Sequence, residues 1–120
     1  MKFKGTLIVV QDCSRALKFY SDMFGFRLLR DNGGNMELTD NLYLQESGFW
    51  ESFTGKRTIP NNNRSELYFE ELDIEAFVKR LEVLYPETEY VNRLTQHSWG
   101  QKVIRFCDPD GNLIEVGTPM

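Results

Sequence analysis

The N-terminal part of the chain reads GTLIVVQDCSRALKFYSDMFG over residues 5–25, and this stretch sets the pattern for the fold. Its β-branched start predicts a strand over residues 5–10, and the apolar spacing that follows predicts a helix over residues 14–24. Asp12 or Ser14 is suited to cap the start of that helix. Three helix residues share one stripe and are expected to face the sheet: Leu17, Tyr20 and Phe24.

A second stretch repeats this order. It reads ELYFEELDIEAFVKRLEVL over residues 66–84, with a strand predicted over 66–71 and a helix over 74–84. Asp73 precedes the second helix as Asp12 precedes the first, so both aspartates can accept hydrogen bonds from the first helical N–H groups. The chain is therefore predicted to contain two copies of one structural unit.

Three short strands are predicted after each helix, separated by turn-forming clusters of Asp, Asn, Gly and Pro. They lie at residues 26–30, 36–39 and 42–45 in the first copy and at 89–94, 101–107 and 112–116 in the second. This order predicts an α+β fold of two βαβββ modules that form a concave, incompletely closed sheet. We expect a single domain over residues 1–120, with a first module at 1–47, a linker at 48–64 and a second module at 65–120.

Composition and charge exclude several classes of protein. The chain has 120 residues, 41% of them hydrophobic and 27% charged, which is typical of one globular domain. A net charge of −4 argues against a nucleic-acid partner. No apolar run approaches the roughly 18 to 20 residues of a membrane span, and the N-terminus is unlike a signal peptide, so we expect a cytoplasmic protein with no membrane partner. Cys13 and Cys107 lie far apart in the sequence and are expected to be reduced, packed thiols.

One face of each predicted sheet is left open, because a single helix covers only the other face. Side chains alternate between the two faces along a strand. With the apolar residues placed against the helix, the open face receives Tyr43 and Gln45 from the first module and Glu66, Tyr68 and Glu115 from the second. Three of these side chains could coordinate or hydrogen-bond a ligand, so the pattern predicts one hollow with a polar centre.

The local sequence motifs resemble those of one protein superfamily over essentially the whole chain. The segments that carry the resemblance are VQDCSRALKFY at 10–20, GF at 25–26, residues 66–81, and RFCDPDGNLIE at 105–115. They resemble the vicinal oxygen chelate superfamily, which includes glyoxalase I, bleomycin-resistance proteins and extradiol dioxygenases. The resemblance implies a small-molecule ligand or substrate and a homodimer.

Enzymes of that superfamily hold a divalent metal at four positions of the concave sheet. The resemblance places these positions at Gly5, Gln45, Glu66 and Glu115. Gly5 has no side chain to bind a metal, so ordinary glyoxalase I chemistry is not expected. The remaining oxygen donors suit Mg²⁺, Mn²⁺ or Ca²⁺ better than Ni²⁺ or Zn²⁺. Because the first-strand ligand is missing, we expect one divalent ion, such as Mn²⁺, Mg²⁺, Ni²⁺ or Zn²⁺, to be held weakly or not at all.

One interpretation of the site is a metal-dependent lyase or isomerase. Gln45, Glu66 and Glu115 would hold the ion, and either glutamate could act as the base for a proton next to a carbonyl group. His97, the only histidine, could act as a proton shuttle in a polar loop.

The other interpretation is a metal-independent binding module for an apolar or aromatic small molecule. The resemblance includes a branch of proteins that sequester drugs in an aromatic-lined groove. Aromatic side chains that could line it are Tyr43, Trp50, Tyr68 and Trp99. Arg105 could face the groove or the solvent. Inside the groove it would neutralise Glu66 or Glu115 and disfavour a metal.

Overall fold

The computed structural model describes all residues of the chain, 1–120, and the chain divides into two compact units, Met1–Ile59 and Pro60–Met120. The first unit contains β1 (Thr6–Val10), α1 (Cys13–Phe24), β2 (Leu28–Asp31), β3 (Asn35–Leu38), a 3₁₀ turn (Thr39–Asn41), β4 (Leu42–Glu46) and α2 (Ser47–Thr54). The second contains β5 (Leu67–Glu70), α3 (Ile74–Leu84), β6 (Tyr90–Gln96), β7 (Lys102–Cys107) and β8 (Leu113–Gly117).

Each unit has its own four-stranded sheet, and the two sheets have the same topology. The strand order is β1-β4-β3-β2 in the first unit and β5-β8-β7-β6 in the second. The first strand of each unit pairs in parallel with the last, and the other neighbours are antiparallel. The βαβββ order and the α+β class predicted from the sequence are confirmed, and neither sheet closes into a barrel.

Both predicted helix starts are capped by aspartate. Asp12 Oδ1 accepts hydrogen bonds from the backbone N–H groups of Ser14 at 2.9 Å and Arg15 at 3.2 Å. Asp73 Oδ1 accepts one from the N–H of Ala76 at 3.2 Å. These bonds satisfy N–H groups that have no partner inside the helix. The N-cap of α1 is therefore Asp12, and Ser14 lies inside the helix.

The buried face of α1 differs from the predicted stripe. Of the three residues predicted to face the sheet, Tyr20 is fully buried, whereas Leu17 and Phe24 are only half-buried. The other large buried residues of α1 are Phe19 and Met23. The buried side of α1 is therefore centred on Phe19, Tyr20 and Met23 rather than on the predicted stripe. Phe19 packs edge-on against Tyr20, with ring centroids 5.0 Å apart.

The segment between the predicted modules is partly helical. Helix α2 spans Ser47–Thr54 and therefore occupies the first part of residues 48–64. It begins after Glu46, whose carboxylate accepts a hydrogen bond from the N–H of Gly48 at 2.6 Å. It ends at Gly55, which adopts a left-handed conformation with φ of 70°.

Two composition-based expectations can be compared with the fold. Cys13 and Cys107 are buried thiols that form no disulfide, as predicted. Burial raises the pKa of the Cys107 thiol, and the nearby carboxylates of Glu89 and Asp108 raise it further. None of the helices has the length and apolar character needed to cross a bilayer.

Candidate functional site

The side chains of β8 alternate between a buried and a partly exposed face as predicted, whereas β7 also buries Val103 and Cys107 on the face that carries Arg105. Ile104, Phe106 and Ile114 are fully buried on the face covered by α3, where Phe106 lies with its ring centroid 6.0 Å from that of Phe77. The opposite face carries the intervening residues of the same strands. We call it the polar face of the second unit, and it bears Tyr68, Asn92, Arg105 and Glu115.

The strand register sets these four side chains in one row. Tyr68 on β5 lies opposite Glu115 on β8, and Glu115 lies opposite Arg105 on β7. Arg105 in turn lies opposite Asn92 on β6. Paired residues on neighbouring strands project to the same face, so the row crosses the whole sheet.

A tight turn maintains the register of the β7–β8 hairpin. Asp108 Oδ1 accepts hydrogen bonds from the N–H groups of Asp110 at 2.9 Å and Asn112 at 2.8 Å. The carboxylate of Asp108 is almost completely buried, which agrees with a structural role in the turn. Because this hairpin cannot slip without breaking those bonds, Arg105 stays opposite Glu115.

Arg105 forms the central ion pair of the row. Its Nε donates to Glu115 Oε1 at 2.8 Å, and an Nη donates to Asn92 Oδ1 at 3.1 Å. The side chains of Arg105 and Glu115 are 32% and 15% exposed, so the pair is partly shielded from water. Of the two orientations that the sequence left open for Arg105, the structure shows the one that neutralises a predicted ligand-binding carboxylate.

Glu66 joins this pair just before β5. Its carboxyl group is hydrogen-bonded to the carboxyl group of Glu115, and this bond, burial and the negative charge of Glu115 raise the pKa of Glu66 above its ordinary value of 4.5, while the charge of Arg105 acts in the opposite direction. Two carboxyl groups in hydrogen-bond contact share a proton more readily than they both ionise. The structure therefore brings Glu66, Glu115 and Arg105 together.

We expect the pH dependence of stability to report the raised pKa of Glu66. A carboxyl group whose pKa is raised on folding binds a proton more tightly in the folded chain, so its contribution favours folding at low pH and is lost as pH rises from 4.5 through the folded pKa. The variant Glu66→Gln removes that loss. Denaturant unfolding should show Glu66→Gln to be more stable than the wild type at pH 7, with the advantage gone below pH 4.5. Glu70→Gln, at the far end of β5, is the control, and an equal gain in that variant would contradict the assignment.

Aromatic side chains lie at one end of the polar face. Trp99 and Tyr68 are 64% and 56% exposed, and both are tied to the buried amide of Gln101. The indole Nε1 of Trp99 donates to Gln101 Oε1 at 3.1 Å, and Gln101 Nε2 donates to the hydroxyl of Tyr68 at 3.2 Å. His97 stacks on Trp99 with ring centroids 4.4 Å apart and planes 9° apart. Two predicted binding residues and the predicted proton shuttle thus belong to one group in the second unit.

The remaining predicted site residues belong to the first unit. Both ends of the Gln45 amide are engaged, because Oε1 accepts from Asn35 Nδ2 at 3.1 Å and Nε2 donates to the carbonyl of Gly34 at 3.0 Å. Tyr43 is half-buried on β4. Trp50, which falls in the predicted linker, is a half-buried residue of helix α2.

Gly5 has a conformation that requires glycine. Its φ is 141°, and a Cβ at this position would lie 2.0 Å from the carbonyl oxygen of Asn41. The position at which the superfamily resemblance expects a metal ligand therefore has no room for a side chain. Of the two carboxyl groups that remain, Glu115 is paired with the guanidinium of Arg105 and Glu66 is hydrogen-bonded to Glu115, so this donor set does not fit a tightly held divalent metal.

Sequence reasoning missed two residues of the site. Asn92 could have been found, because alternation along β6 places it on the same face as its neighbour Arg105 once the register is known. Gln101 is the first residue of the strand predicted at 101–107, and alternation places it on the face of Arg105, but a glutamine at a strand end looks like a solvated polar residue. Its burial becomes visible only when Tyr68, Trp99 and the end of β8 surround it.

Comparison with known proteins identifies the family. The profile of the glyoxalase-like domain matches residues 3–120. The chain belongs to the glyoxalase-like domain family, within the vicinal oxygen chelate superfamily. No curated protein matches the chain.

Solved structures share the architecture of this glyoxalase-like domain. A protein of unknown function from Agrobacterium tumefaciens str. C58 is 30% identical, with a TM-score of 0.80 and coverage of 100% of this chain and 95% of that one. A glyoxalase/bleomycin resistance protein/dioxygenase from Nocardioides is 18% identical, with a TM-score of 0.73 and coverage of 98% and 83%. A member of the same superfamily from Sphaerobacter thermophilus is 22% identical, with a TM-score of 0.70 and coverage of 99% and 98%. The last two show the fold alone.

Proposed function

We propose that this glyoxalase-like protein binds a small, flat, singly charged organic cation without the help of a metal, at the polar face of its second unit. The observation that carries the proposal is the ion pair between Arg105 and Glu115, with Nε and Oε1 2.8 Å apart. The guanidinium already supplies one of the two positive charges that a divalent metal would otherwise bring to the two carboxyl groups.

Charge balance favours a monovalent cation. When Glu66 and Glu115 are both ionised, their two negative charges face the single positive charge of Arg105, which leaves one negative charge. An amidinium or a comparable organic cation balances that charge by pairing with Glu66, whereas a divalent ion exceeds it and is repelled by Arg105. A cation that pairs with Glu66 opposes the raised pKa of that group, so binding is linked to proton loss wherever Glu66 is partly protonated.

The aromatic residues provide a surface for the flat part of the ligand. Tyr68 lies directly across the strand pair from Glu115, and its hydroxyl is connected through Gln101 to the exposed indole of Trp99. Aromatic rings stack on planar ligands and attract cations at their faces. The combination of a carboxyl pair and exposed aromatic rings supports an aromatic cation as the ligand class.

The test is titration with 2-naphthamidine in buffer containing a chelator, followed by the fluorescence of Trp99 in a Trp50→Phe background. The neutral isostere 2-naphthamide and the anion 2-naphthoate are the matched controls. We expect 2-naphthamidine to bind about tenfold more tightly than 2-naphthamide, because one charge-assisted pair is worth about 1.5 to 3 kcal/mol. The variant Glu66→Gln should remove that difference.

Equal affinity for 2-naphthamidine and 2-naphthamide, or preference for 2-naphthoate, would overturn the proposal. Calorimetry in two buffers of different ionisation enthalpy adds a second readout. Because the pKa of Glu66 is raised above 4.5, proton release upon binding of 2-naphthamidine should grow in the wild type as the pH is lowered toward 4.5, and it should be absent in Glu66→Gln.

A metal-dependent lyase or isomerase is a second candidate. The neighbouring carboxyl groups of Glu66 and Glu115 are hard ligands for Mg²⁺ or Mn²⁺, but Arg105 already pairs with Glu115, so this candidate requires a weakly held ion. Titration of chelator-stripped protein with Mn²⁺, Mg²⁺, Ni²⁺ and Zn²⁺ separates the two candidates. Stoichiometric binding that is lost in both Glu66→Ala and Glu115→Ala would support the enzyme.

The homodimer implied by the superfamily stays a prediction, which sedimentation velocity would test.

A further inference from the structure

Gln101 is a buried polar residue with two exposed aromatic partners. It is only 7% exposed, whereas Trp99 and Tyr68, to which it is hydrogen-bonded, are 64% and 56% exposed. An ordinary core residue anchors other core residues. Gln101 instead connects the interior of the unit to two rings on its surface.

The hydrogen bonds of Gln101 use both ends of its amide. Oε1 accepts from the Trp99 indole at 3.1 Å, while Nε2 donates to the Tyr68 hydroxyl at 3.2 Å and to the carbonyl of Thr118 at 3.0 Å. Burying an amide is costly unless its donors and acceptors are satisfied. The bond to Thr118 holds the amide against the backbone just after β8, so the amide fixes both rings relative to the sheet.

Gly117 leaves the space that Gln101 occupies. A Cβ at residue 117 would lie 2.7 Å from Gln101 Nε2 and 3.6 Å from Tyr68 Cε1. The last residue of β8 is therefore small where the amide crosses it. This observation is independent of the hydrogen bonds and points to the same arrangement.

The turn that carries Trp99 adds a second constraint. The N–H of His97 donates to the carbonyl of Gln101 at 2.8 Å, and the N–H of Gly100 donates to the carbonyl of His97 at 2.9 Å. His97 covers one face of the indole by parallel stacking. Trp99 is thus held on its edge by Gln101 and on one face by His97, yet 64% of its surface remains exposed.

We propose that Gln101 is a positioning residue that fixes the Trp99 indole and the Tyr68 ring in their binding arrangement before a ligand arrives. This inference rests on the proposed function, because it assigns these rings to the flat part of the same ligand. Preorganisation raises affinity by removing the entropic cost of ordering side chains during binding. Ring orientation, rather than a direct contact, is what Gln101 contributes.

The first experiment uses the ligand-free protein, so its outcome is separate from that of the proposed function. The two tryptophans give two indole N–H signals in ¹⁵N NMR, and Trp99→Phe assigns them. In Gln101→Leu, hydrogen exchange of the Trp99 indole should accelerate about fivefold, as expected for loss of one hydrogen bond, while that of Trp50 is unchanged. Gly117→Ala, which displaces the amide sterically, should have the same effect. Gln96→Leu is the matched control, because its amide donates only to the carbonyl of Gly100, at 3.4 Å.

The second experiment measures 2-naphthamidine affinity in the same variants. We expect about fivefold weaker binding in Gln101→Leu and Gly117→Ala, with the preference for 2-naphthamidine over 2-naphthamide retained, because the carboxyl pair is intact. Wild-type indole exchange in both variants, shown to be folded by circular dichroism, would overturn the positioning role. A third outcome is accelerated indole exchange in the variants of a protein whose wild type does not bind 2-naphthamidine. Gln101 would then still position the rings, but the proposed ligand class would be rejected. The inference that this positioning serves binding would be overturned with it.

Discussion

Replacing Gly5 by alanine is expected to lower the free energy of unfolding by about 3 kcal/mol, the combined cost of a strained backbone and a steric clash. With φ of 141°, Gly5 adopts a conformation that other residues rarely populate, and the new Cβ would lie 2.0 Å from the Asn41 carbonyl oxygen and 2.6 Å from its Cβ. Relief of these contacts requires the backbone to move at the point where β1 begins to pair with β4. Guanidinium unfolding followed by circular dichroism measures the effect.

Gly33→Ala is the matched control for this loss. Gly33 also has a positive φ, of 69°, but a Cβ there meets nothing within 4 Å. Its replacement should therefore cost only the backbone strain, about 1 kcal/mol. Equal losses in the free energy of unfolding at the two positions would show that the clash with Asn41 adds nothing to the cost of backbone strain. Gly5→His should behave like Gly5→Ala, since no side chain at this position can reach a metal without the same displacement.

Removing the guanidinium of Arg105 should convert the polar face into a cation site of higher affinity. In Arg105→Met, the carboxyl groups of Glu66 and Glu115 lose the positive charge that lies 2.8 Å from Glu115 Oε1. We expect Mn²⁺ to bind more than about thirtyfold more tightly than to the wild type, because a unit charge at this range changes the energy of a nearby dication by about 2 kcal/mol or more. Electron paramagnetic resonance of free Mn²⁺ measures the affinity directly.

Two further variants make this experiment specific. Lys102→Met removes a positive charge from the same strand, but the partner of Lys102 is the exposed Glu75, so Mn²⁺ affinity should not change. Arg105→Lys keeps the charge and should stay close to the wild type. Tight stoichiometric Mn²⁺ binding to the wild type, with no gain in affinity in Arg105→Met, would show that the Arg105 guanidinium does not compete with a metal for the carboxyl groups. That result would favour the metalloenzyme.

The repeated pattern of strand, aspartate and helix was sufficient to predict the fold, because its signals are local. A β-branched run, a side chain that can accept from helical N–H groups, and a turn after each strand act over a few residues. Asp12 and Asp73 cap their helices as predicted. The alternation that placed Tyr68 and Glu115 on one face also depends only on strand geometry, and the register confirms it.

The predicted stripe of α1 was partly wrong because the buried side of a helix is set by the sheet that covers it. The sequence identifies large apolar residues, but the sheet selects the arc of the helix that it covers. Ala16 is buried because its small side chain lies in that arc, while Phe24 is left half-buried near the helix end. Composition alone carries no information about where that arc is centred.

The sequence by itself determined the family, the two βαβββ units and the carboxylates available to a ligand. Only the tertiary structure decided how those carboxylates are used. Pairing of β7 with β8 brings Arg105 against Glu115, and folding of the chain around Gln101 gives its amide three partners far apart in sequence. Charges and hydrogen bonds act over a few ångströms, so the chemistry of the site depends on strand register and packing, which no local pattern of residues specifies.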